Sequence, residues 1–300
     1  MTLRVLVVGG LTLDVIKSAG TLQRRVGGGA YYCSLAGTRL GARVQLRTVV
    51  GPSIRPESLS EMESEGVTVV AERAPSSIEF VNSLVENGRR VQEVISVGGP
   101  PIKVEPDAIE GFDLVHITPV LGEVDPSLAE LGLASATAIE VQGFVRERRT
   151  GALIMKHWED RDQWIRRKLL VHLSDEELPY FCRRSLKEAL VTGGPEVIVM
   201  TRSARGSFIL NRERTLFIPA LPVDVIDDVG CGDVYSMAMA LSMVEGKDLL
   251  DSAVTATAAA TLTAEGRGLE KLRLGMEFDE RKSMALRAFQ EFGLASARNP

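Results

Sequence analysis

The chain has 300 residues, of which 45% are hydrophobic and 25% are charged, and its formal net charge is −5. This composition is typical of a globular protein with a large core, and the interspersed charges give no long basic run that would indicate a nucleic-acid scaffold. Three scattered cysteines and three scattered histidines argue against a disulfide framework and against zinc spacing. The short apolar run at the N-terminus lacks the features of a secretory segment, and no stretch approaches the roughly 18–20 apolar residues of a membrane span. We therefore expect a soluble, cytoplasmic protein.

The N-terminal part of the chain alternates between strand and helix patterns. The run LRVLVVGG is short, valine-rich and stopped by glycines, which is typical of a buried parallel strand. The segment GGGAYYCSLAGTRLGA begins as a glycine turn and continues as a helix that Gly41 ends. A further strand, VQLRTVVG, and a polar helix, PESLSEMESEG, follow.

The pattern changes between residues 76 and 101. SSIEFVNSLVEN and RRVQEVISV alternate apolar and polar residues, and the Asn87-Gly88 pair between them is a hairpin signal. Alternation indicates a sheet with one face in water, and residues from roughly 14 to 26 are able to add strands to it. We predict a small β layer outside the main core, formed by roughly 14–26 and 76–101.

After Pro106 the alternation of strands and helices returns. Strands are predicted at FDLVHITPV, ATAIEVQGF and EVIVMTRSARGSFIL, helices at DRDQWIRRKLL and in the second half of VHLSDEELPYFCRRSLKEALVTGG, and two Ala-rich helices near the C-terminus. Such alternation implies right-handed crossovers and a mainly parallel sheet. Because no repeat or linker interrupts the pattern, residues 1–300 are predicted to form a single α/β domain with a β appendage.

The turn in VDVIDDVGCGDVYSMAMAL carries the candidate chemistry. Gly230 and Gly232 bracket Cys231 directly before a helix, so that backbone N–H groups and the helix N-terminus form an anion site. Asp233 either caps the helix or accepts a proton from an alcohol that attacks a phosphoryl group. From these residues alone the two interpretations are about equal, because short glycine motifs recur by chance. Cys231, at a helix N-terminus, is also a candidate for a lowered thiol pKa.

The same stretch resembles a known family signature. IDDVGCGDVYSMAMA is similar to the D-T-x-G-A-G-D-x-F motif of the ribokinase/PfkB sugar kinases, with Asp227 at the first aspartate, Gly230 to Gly232 at the anion-hole turn and Asp233 at the catalytic base. The N-terminal half agrees, since VVGGLTLDV resembles the strand that leads to a substrate-binding aspartate, here Asp14. GGGAYYCSLAGTRLGA resembles the glycine segment of the family, and VMTRSARG the strand and turn that approach the nucleotide phosphates.

The resemblance implies a ribokinase-like α/β fold with three layers, a mainly parallel central sheet and a small β-sheet lid over the substrate site. It implies an ATP- and Mg²⁺-dependent kinase that phosphorylates a hydroxyl of a sugar or polyol. The implied catalytic residues are Asp233, Gly230, Cys231 and Gly232, and the implied nucleotide-binding residues are Thr201, Ser203, Gly206, Gly230 and Gly232. The implied substrate-binding residues are Asp14, Gly27, Gly28 and Asp233, and Glu177 is placed to hold Mg²⁺ through water. Three further substrate-binding residues are predicted on physical grounds. Gly29, with Gly27 and Gly28, lets a ring approach backbone N–H groups, Tyr32 or its neighbour Tyr31 is able to stack on or hydrogen bond to a polyol or nucleoside, and Gln142 follows a strand, where ligands of α/β proteins gather.

Three departures from the family pattern bear on the substrate. Asp228 replaces the threonine of the signature, Tyr32 replaces a substrate-contacting asparagine, and Ser174 replaces the asparagine of an N-x-x-E motif that ends in Glu177. These differences put ordinary hexose or ribose specificity in doubt. GGGAYY and EVQGFVR look more like the archaeal and plant branch that includes myo-inositol kinases, which favours a myo-inositol-like polyol.

Two alternatives remain open from the sequence. One is a nucleoside kinase of the same fold, and the other is a non-catalytic protein that binds a sugar or nucleotide. The expected partners are a small polyol or sugar and ATP, with no nucleic acid and no membrane, and edge strands in the lid are open to homodimer formation. Arg146 follows a strand and is capable of meeting phosphate, although a lone arginine is more often a solvated surface group. The substrate, the phosphorylated hydroxyl, the phosphate donor and the oligomeric state are not decided by the sequence.

Overall fold

The computed structural model describes residues 1–18, 21–84, 90–130, 136–183, 185–190 and 193–293, so the predicted Asn87-Gly88 turn lies outside the described residues. The strands are β1 (Arg4–Val8), β2 (Thr12–Ser18), β3 (Thr21–Gly27), β4 (Arg43–Val50), β5 (Thr68–Arg73), β6 (Ile78–Leu84), β7 (Arg90–Val97), β8 (Leu114–Ile117), β9 (Ala136–Glu140), β10 (Gly151–Ala152), β11 (Leu170–Ser174), β12 (Val197–Thr201), β13 (Ser207–Leu210) and β14 (Thr215–Ile218). The helices are α1 (Gly29–Arg39), α2 (Pro56–Ser64), α3 (Arg161–Ile165), α4 (Leu178–Phe181), α5 (Leu186–Ala189), α6 (Cys231–Val244), α7 (Leu249–Ala264) and α8 (Met276–Ala288). Short 3₁₀ turns span Pro106–Ile109, Pro126–Ala129, Gln142–Val145 and Ser203–Arg205, and a π-helical turn spans Phe289–Gly293.

Within the described residues, nine strands form the main sheet in the order β14-β13-β12-β11-β9-β8-β1-β4-β5. The pairs from β12 to β5 are parallel, and β13 and β14 are antiparallel at one edge. Residues 5 to 8 of β1 are buried on both faces, which is why this central strand is a continuous valine and leucine run. The predicted α/β class with a mainly parallel sheet is confirmed.

Two apolar layers cover the main sheet. One layer contains α1, α6 and α7, whose alanine and methionine side chains allow close helix packing around buried residues such as Met237 and Ala256. The other layer is built from shorter elements around Trp158, Trp164 and Phe181. Since α6 is apolar almost all round, it lies in the core, and its first turn is fixed at the carboxyl edge of the sheet.

A second sheet of five strands has the order β10-β7-β6-β2-β3. The pair β2–β6 is parallel and the other pairs are antiparallel. Ile78 and Phe80 of β6 pack against Val120 and Leu121 from the loop after β8, which joins the two sheets through a small apolar cluster. The strand β3 is an edge of this sheet, and the role of the sheet as a lid and dimer surface stays a prediction.

The segment after residue 160 contains less helix than the sequence pattern predicts. The helix predicted at DRDQWIRRKLL is only α3, because Arg166 is extended and Arg167 has a φ of +54°, which turns the chain into β11. The single helix predicted before residue 190 is two short helices, α4 and α5, separated by an extended Cys182. None of the helices in the described ranges is both long enough and apolar enough to span a membrane.

Candidate active site

The turn that begins α6 has the geometry of an anion cradle. Gly230 is the N-cap of α6 and adopts φ +83°, a left-handed conformation that favours glycine. A β-carbon at position 230 would also overlap the ring of Tyr32, so the close approach needs a residue without a side chain. The Cys231 N–H donates to the Asp228 carbonyl at 3.4 Å and the Val234 N–H to the Gly230 carbonyl at 2.9 Å, while the N–H groups of Gly232 and Asp233, in the first turn, have no acceptor within α6. Asp233 therefore lies in the first turn, beside these donors.

The glycine segment at the start of α1 brings two carboxylates together. An ideal β-carbon on Gly27 would lie 2.5 Å from Asp14 Oδ2, and one on Gly29 would lie 2.8 Å from Asp233 Oδ1. Gly28, between them, has φ +93° and would meet the Gly10 carbonyl at 2.6 Å if it carried a β-carbon. The Asp14 carboxylate and the Asp233 carboxylate thus flank one glycine segment, as the sequence prediction requires of a substrate site.

Burial shapes the charge of Asp233. Burial first, and then the negative charge of the neighbouring Glu140, raise the pKa of Asp233 to about 7 against the opposing effect of His172. A carboxyl with a pKa near 7 is matched to proton transfer at neutral pH. The geometry and the pKa together make Asp233 the strongest candidate for a general base in the described chain.

Glu140 is a buried carboxylate that sequence analysis did not single out. Its Oε1 lies 3.1 Å from His116 Nε2, and its Oε2 is bonded to His172 Nδ1. His172 Nε2 is 3.1 Å from Thr201 Oγ1. These residues come from β8, β9, β11 and β12, so only the sheet order brings them together.

One group of side chains offers metal-type ligands. Cys33 Sγ, a His116 ring nitrogen and a Glu140 oxygen lie within 4.8 Å of one another and are buried. The hydrogen bond between His116 and Glu140 accounts for their closeness without an ion, because the carboxylate already holds both imidazole rings.

Arg146 is enclosed rather than solvated, which corrects the expectation for a lone arginine. Its Nη1 donates to the Val120 carbonyl at 3.3 Å, and its Nε is enclosed without a hydrogen-bond partner among the described residues. Burial lowers the pKa of Arg146, while the charges of Glu177 and Asp233 favour its ionised form. Such a cation, facing the two carboxylates, is suited to an anionic or hydroxyl-rich ligand.

Glu177 is the carboxylate predicted to hold Mg²⁺ through water. It is buried, and its Oε2 accepts the Ser174 N–H at 2.8 Å. Burial raises the pKa of Glu177, and the Ser174 hydrogen bond and the charge of Arg146 oppose this. A hard oxygen donor whose ionised form is disfavoured by burial fits a nearby dication, which would relieve that cost.

Gln142 lies in the 3₁₀ turn after β9 and is partly exposed. The turn is held by an aromatic cluster in which Phe144 stacks on Trp158, with ring centroids 4.1 Å apart and planes at 8°. The Trp164 ring also packs against Phe144, with ring centroids 4.5 Å apart. The cluster fixes the turn that carries both Gln142 and Arg146.

The predicted nucleotide-binding residues lie at the end of β12 and in the turn after it. Thr201 ends β12 and bonds His172, and Ser203 has φ +49°, which is uncommon for a residue other than glycine. Gly206 has φ +86°, and a β-carbon there would collide with the Ile218 carbonyl. The glycine at 206 therefore has a structural reason in the β12–β13 connection, independent of any nucleotide.

Tyr32, predicted to contact substrate, is only 3% exposed and packs on Gly230. Near it, Arg25 of β3 forms an ion pair with Asp227 at 2.7 Å, which links the small sheet to the catalytic turn. Tyr31, Tyr32, Arg25 and Asp227 all line a cavity of about 940 Å³. No local sequence signal marks Arg25, because its partner is 202 residues away.

Glu123 is a second residue that the motifs did not indicate. It is 3% exposed, and its carboxylate accepts the N–H groups of Gly10 at 2.8 Å, Val120 at 2.9 Å and Leu121 at 2.7 Å. These bonds tie the loop after β1 to the loop after β8. The Gly10 carbonyl that supports Gly28 is held in place through them.

Of the two interpretations of Cys231, a lowered thiol pKa or a role of its backbone, the first has no support in the structure. Burial first, and then the negative charges of Asp228 and Asp227, raise the pKa of Cys231 to about 12. The position of Cys231 in the cradle therefore concerns its backbone, not an ionised thiol. Asp228 itself is exposed, which places its side chain on the outside of the turn.

Comparison with known proteins identifies the fold. Residues 170–272 match the family described as pfkB family carbohydrate kinase. A pyrophosphate-dependent kinase in the ribokinase family, solved with a pyrophosphate analogue and myo-inositol, superposes with a TM-score of 0.76 at 20% identity, covering 92% of this chain and 99% of that one.

Two further structures extend the comparison. Arabidopsis thaliana ribokinase, complexed with ribose and ATP, has a TM-score of 0.73 at 17% identity, with coverage of 97% and 99%. The Burkholderia thailandensis nucleoside kinase in complex with inosine has a TM-score of 0.73 at 17% identity, with coverage of 95% and 99%. The chain has the ribokinase-like fold, and the resemblance to the ribokinase/PfkB carbohydrate kinases is confirmed.

Proposed function

We propose that the protein is a phosphotransferase that phosphorylates a hydroxyl group of a polyol or sugar. The observation that carries this proposal is the convergence of two carboxylates on one glycine segment, with Asp14 beside Gly27 and Asp233 beside Gly29. Asp14 supplies an acceptor for substrate hydroxyls, and Asp233 stands where a hydroxyl bound to that segment would deliver its proton.

In the proposed reaction the acceptor oxygen attacks the terminal phosphorus of the donor. The new oxygen–phosphorus bond forms as the bond to the leaving phosphate oxygen breaks, and the hydroxyl proton passes to the Asp233 carboxylate. The backbone N–H groups of the Gly230 to Gly232 turn stabilise charge on the transferred group, aided by the N-terminal end of α6. Arg146 adds a fixed positive charge that faces the same carboxylates.

The donor is proposed to be ATP, bound along the β12–β13 turn, with Glu177 placed to hold Mg²⁺ through water. When bound, Mg²⁺ would neutralise charge on the transferred phosphoryl group. The similar fold of a pyrophosphate-dependent kinase makes pyrophosphate the donor to compare with ATP.

A myo-inositol-like polyol is the proposed acceptor class. The substrate-side groups with hydrogen-bonding capacity are Asp14, Gln142 and Arg146, which suit a ring rich in hydroxyls. A nucleoside acceptor requires an aromatic surface for the base. Tyr32 is packed against Gly230 and Tyr31 is only half-buried, so the nucleoside alternative rests on Tyr31 and on the similar fold of the inosine-bound kinase. The raised pKa of Asp233 suits a proton acceptor at neutral pH and therefore does not support the non-catalytic alternative.

The test is a phosphotransfer screen over myo-inositol, hexoses, ribose and nucleosides, with ATP and pyrophosphate as donors. The wild type is compared with Asp233→Asn and with the matched control Asp228→Asn, an exposed aspartate of the same loop. We expect turnover with one polyol or sugar, a loss of at least about 10²-fold in Asp233→Asn, and retention in the control. Turnover that survives in Asp233→Asn would remove the base assignment, and ligand binding without turnover on any acceptor would favour the non-catalytic alternative.

A further inference from the structure

A chain of three buried side chains lies under the catalytic turn. His116 is 0% exposed, Glu140 4% and His172 5%, and the two carboxylate oxygens of Glu140 each hold one imidazole ring. A buried carboxylate with both oxygens paired to side-chain donors is costly to assemble unless its charge is used or balanced.

His172 contacts the catalytic turn directly. A β-carbon on Gly232 would lie 3.3 Å from His172 Cε1, so the imidazole edge packs against the backbone of the anion cradle. The ring is fixed on both nitrogens, by Glu140 at Nδ1 and by Thr201 Oγ1 at 3.1 Å from Nε2. On its face, the ring lies nearly parallel to Tyr235 of α6, with centroids 6.4 Å apart.

The other end of the chain touches α6 as well, but away from the cradle. His116 Nε2 lies 3.5 Å from Ser236 Oγ and 3.7 Å from Cys33 Sγ. His116 thus makes the same kind of bond to Glu140 as His172 does, without reaching Gly232. His116 is therefore a matched control for His172, which differs from it in lying beside Gly232.

The charges of the pair are set by their contact. Burial disfavours the ionised form of Glu140, but the charge and hydrogen bond of His172 and the bond from His116 outweigh it and hold the pKa of Glu140 below its usual range. Burial likewise lowers the pKa of His172, and Glu140 overcomes this and leaves it raised. The contact therefore favours the carboxylate form of Glu140 and the imidazolium form of His172, and His172 is the member on the side of the cradle.

We propose that His172, held by Glu140, is a positioning residue that supports the Gly232 backbone from within the core and supplies the positive charge that offsets the Asp233 carboxylate. This inference concerns the same site as the proposed kinase activity and rests on it for its kinetic readout. Two functions follow from one ring: the cradle N–H groups keep their direction, and a negative base is tolerated in a buried place.

Other charged groups act on the same base and enter the expected pH behaviour. Those whose charges reach Asp233 or His172 from the surrounding strands and turns are Glu140, Glu177, Arg146 and the two residues themselves. The charge of Asp233 also raises the pKa of Cys33 and of Tyr32, which both lie in α1. Replacement of His172 alone removes the group that lowers the pKa of Asp233 most, while Arg146, Glu140 and Glu177 stay.

The test compares His172→Gln with His116→Gln in steady-state kinetics across pH. Glutamine keeps hydrogen-bonding capacity at both positions and cannot carry a positive charge. For His172→Gln we expect kcat to fall at least about tenfold, KM to stay within about threefold, and the acid limb of the kcat/KM profile to move up by about one pH unit. For His116→Gln we expect the acid limb to stay in place. Equal losses of kcat in both variants, with neither limb moved, would overturn the proposal and leave a structural role only.

A readout without turnover separates this proposal from the kinase assignment. In wild-type protein, ¹⁵N NMR of the histidine rings is expected to show His172 protonated on both nitrogens at pH 7 and neutral in Glu140→Gln. A neutral His172 at pH 7 in the wild type would overturn the proposal, whether or not any acceptor is phosphorylated. Failure to phosphorylate every acceptor, with His172 protonated and the Gly232 amide resonance displaced in His172→Gln, would sink the kinase assignment and keep the positioning role.

Discussion

Replacement of the proposed base should make the folded protein more stable while it removes activity. The pKa of Asp233 is raised from its usual 3.8 to about 7, first of all by burial. A carboxyl that is harder to ionise in the folded state lowers the free energy of unfolding progressively as the pH rises from about 4 to about 7. Asp233→Asn is nearly isosteric and cannot ionise, so it escapes this loss.

The magnitude follows from the same pKa. A shift of one pKa unit corresponds to about 1.4 kcal/mol, so the rise of the Asp233 pKa to about 7 sets an upper limit of about 4 kcal/mol on the stability gained by Asp233→Asn. Because Asp233 is partly exposed and its neighbours relax, we expect a gain of about 1–2 kcal/mol at pH 8. At pH 5, where the folded carboxyl is protonated, the gain should be less than half of this.

Urea unfolding of wild type, Asp233→Asn and Asp228→Asn at pH 5 and pH 8 measures these differences. The control removes an exposed charge from the same loop and should show little pH-dependent gain. A gain for Asp233→Asn that is equal at both pH values, or a loss at pH 8, would refute the view that Asp233 is a half-buried carboxyl kept ionised at a cost.

Three further outcomes are expected. The kcat/KM of the wild type should rise with pH through about 7 as Asp233 ionises, and a flat kcat/KM profile between pH 6 and pH 8, measured with acceptor below its KM, would contradict the role of its pKa. Gly29→Ala should lower the free energy of unfolding by about 1–3 kcal/mol and remove most of the activity, because its β-carbon meets Thr118 Oγ1 and lies 2.8 Å from Asp233 Oδ1. Thr118→Ala in the same chain should recover the stability but not the activity. Arg25→Met should lower the free energy of unfolding by no more than about 1 kcal/mol, because the ion pair of Arg25 with Asp227 is partly exposed. The same variant should raise the KM for acceptor several-fold, because it releases the small sheet from the turn. An unchanged KM would show that the ion pair has no part in substrate binding.

The parts of the site that sequence predicts are local in the chain. The left-handed turn at Gly230, the helix that carries Asp233 and the glycine segment before α1 follow from glycine placement and apolar periodicity, and the structure has each of them. Their meeting follows from the parallel sheet, since adjacent strands deliver their carboxyl ends to one edge.

The supporting contacts could not be predicted in this way. Glu140 and His172 are 32 residues apart, and neither shows a pattern that distinguishes it from an ordinary strand residue. Arg146 has an enclosed Nε and donates from Nη1 to the Val120 carbonyl, 26 residues away in the chain, which no count of charged neighbours in the sequence indicates. The helix expected after residue 160 ends early because Arg167 turns the chain toward β11, so local propensity gave way to strand pairing.

The stacked rings beside Arg146 also determine what tryptophan fluorescence can report. The chain has two tryptophans, Trp158 and Trp164, and both pack against Phe144 in the turn that carries Arg146. Tryptophan fluorescence of this protein is therefore a signal from one place, the aromatic cluster behind the wall formed by the turn with Gln142 and Arg146. A change of emission on adding an acceptor or a donor would report movement of that wall, and it would allow ligand affinity to be measured before any product is identified.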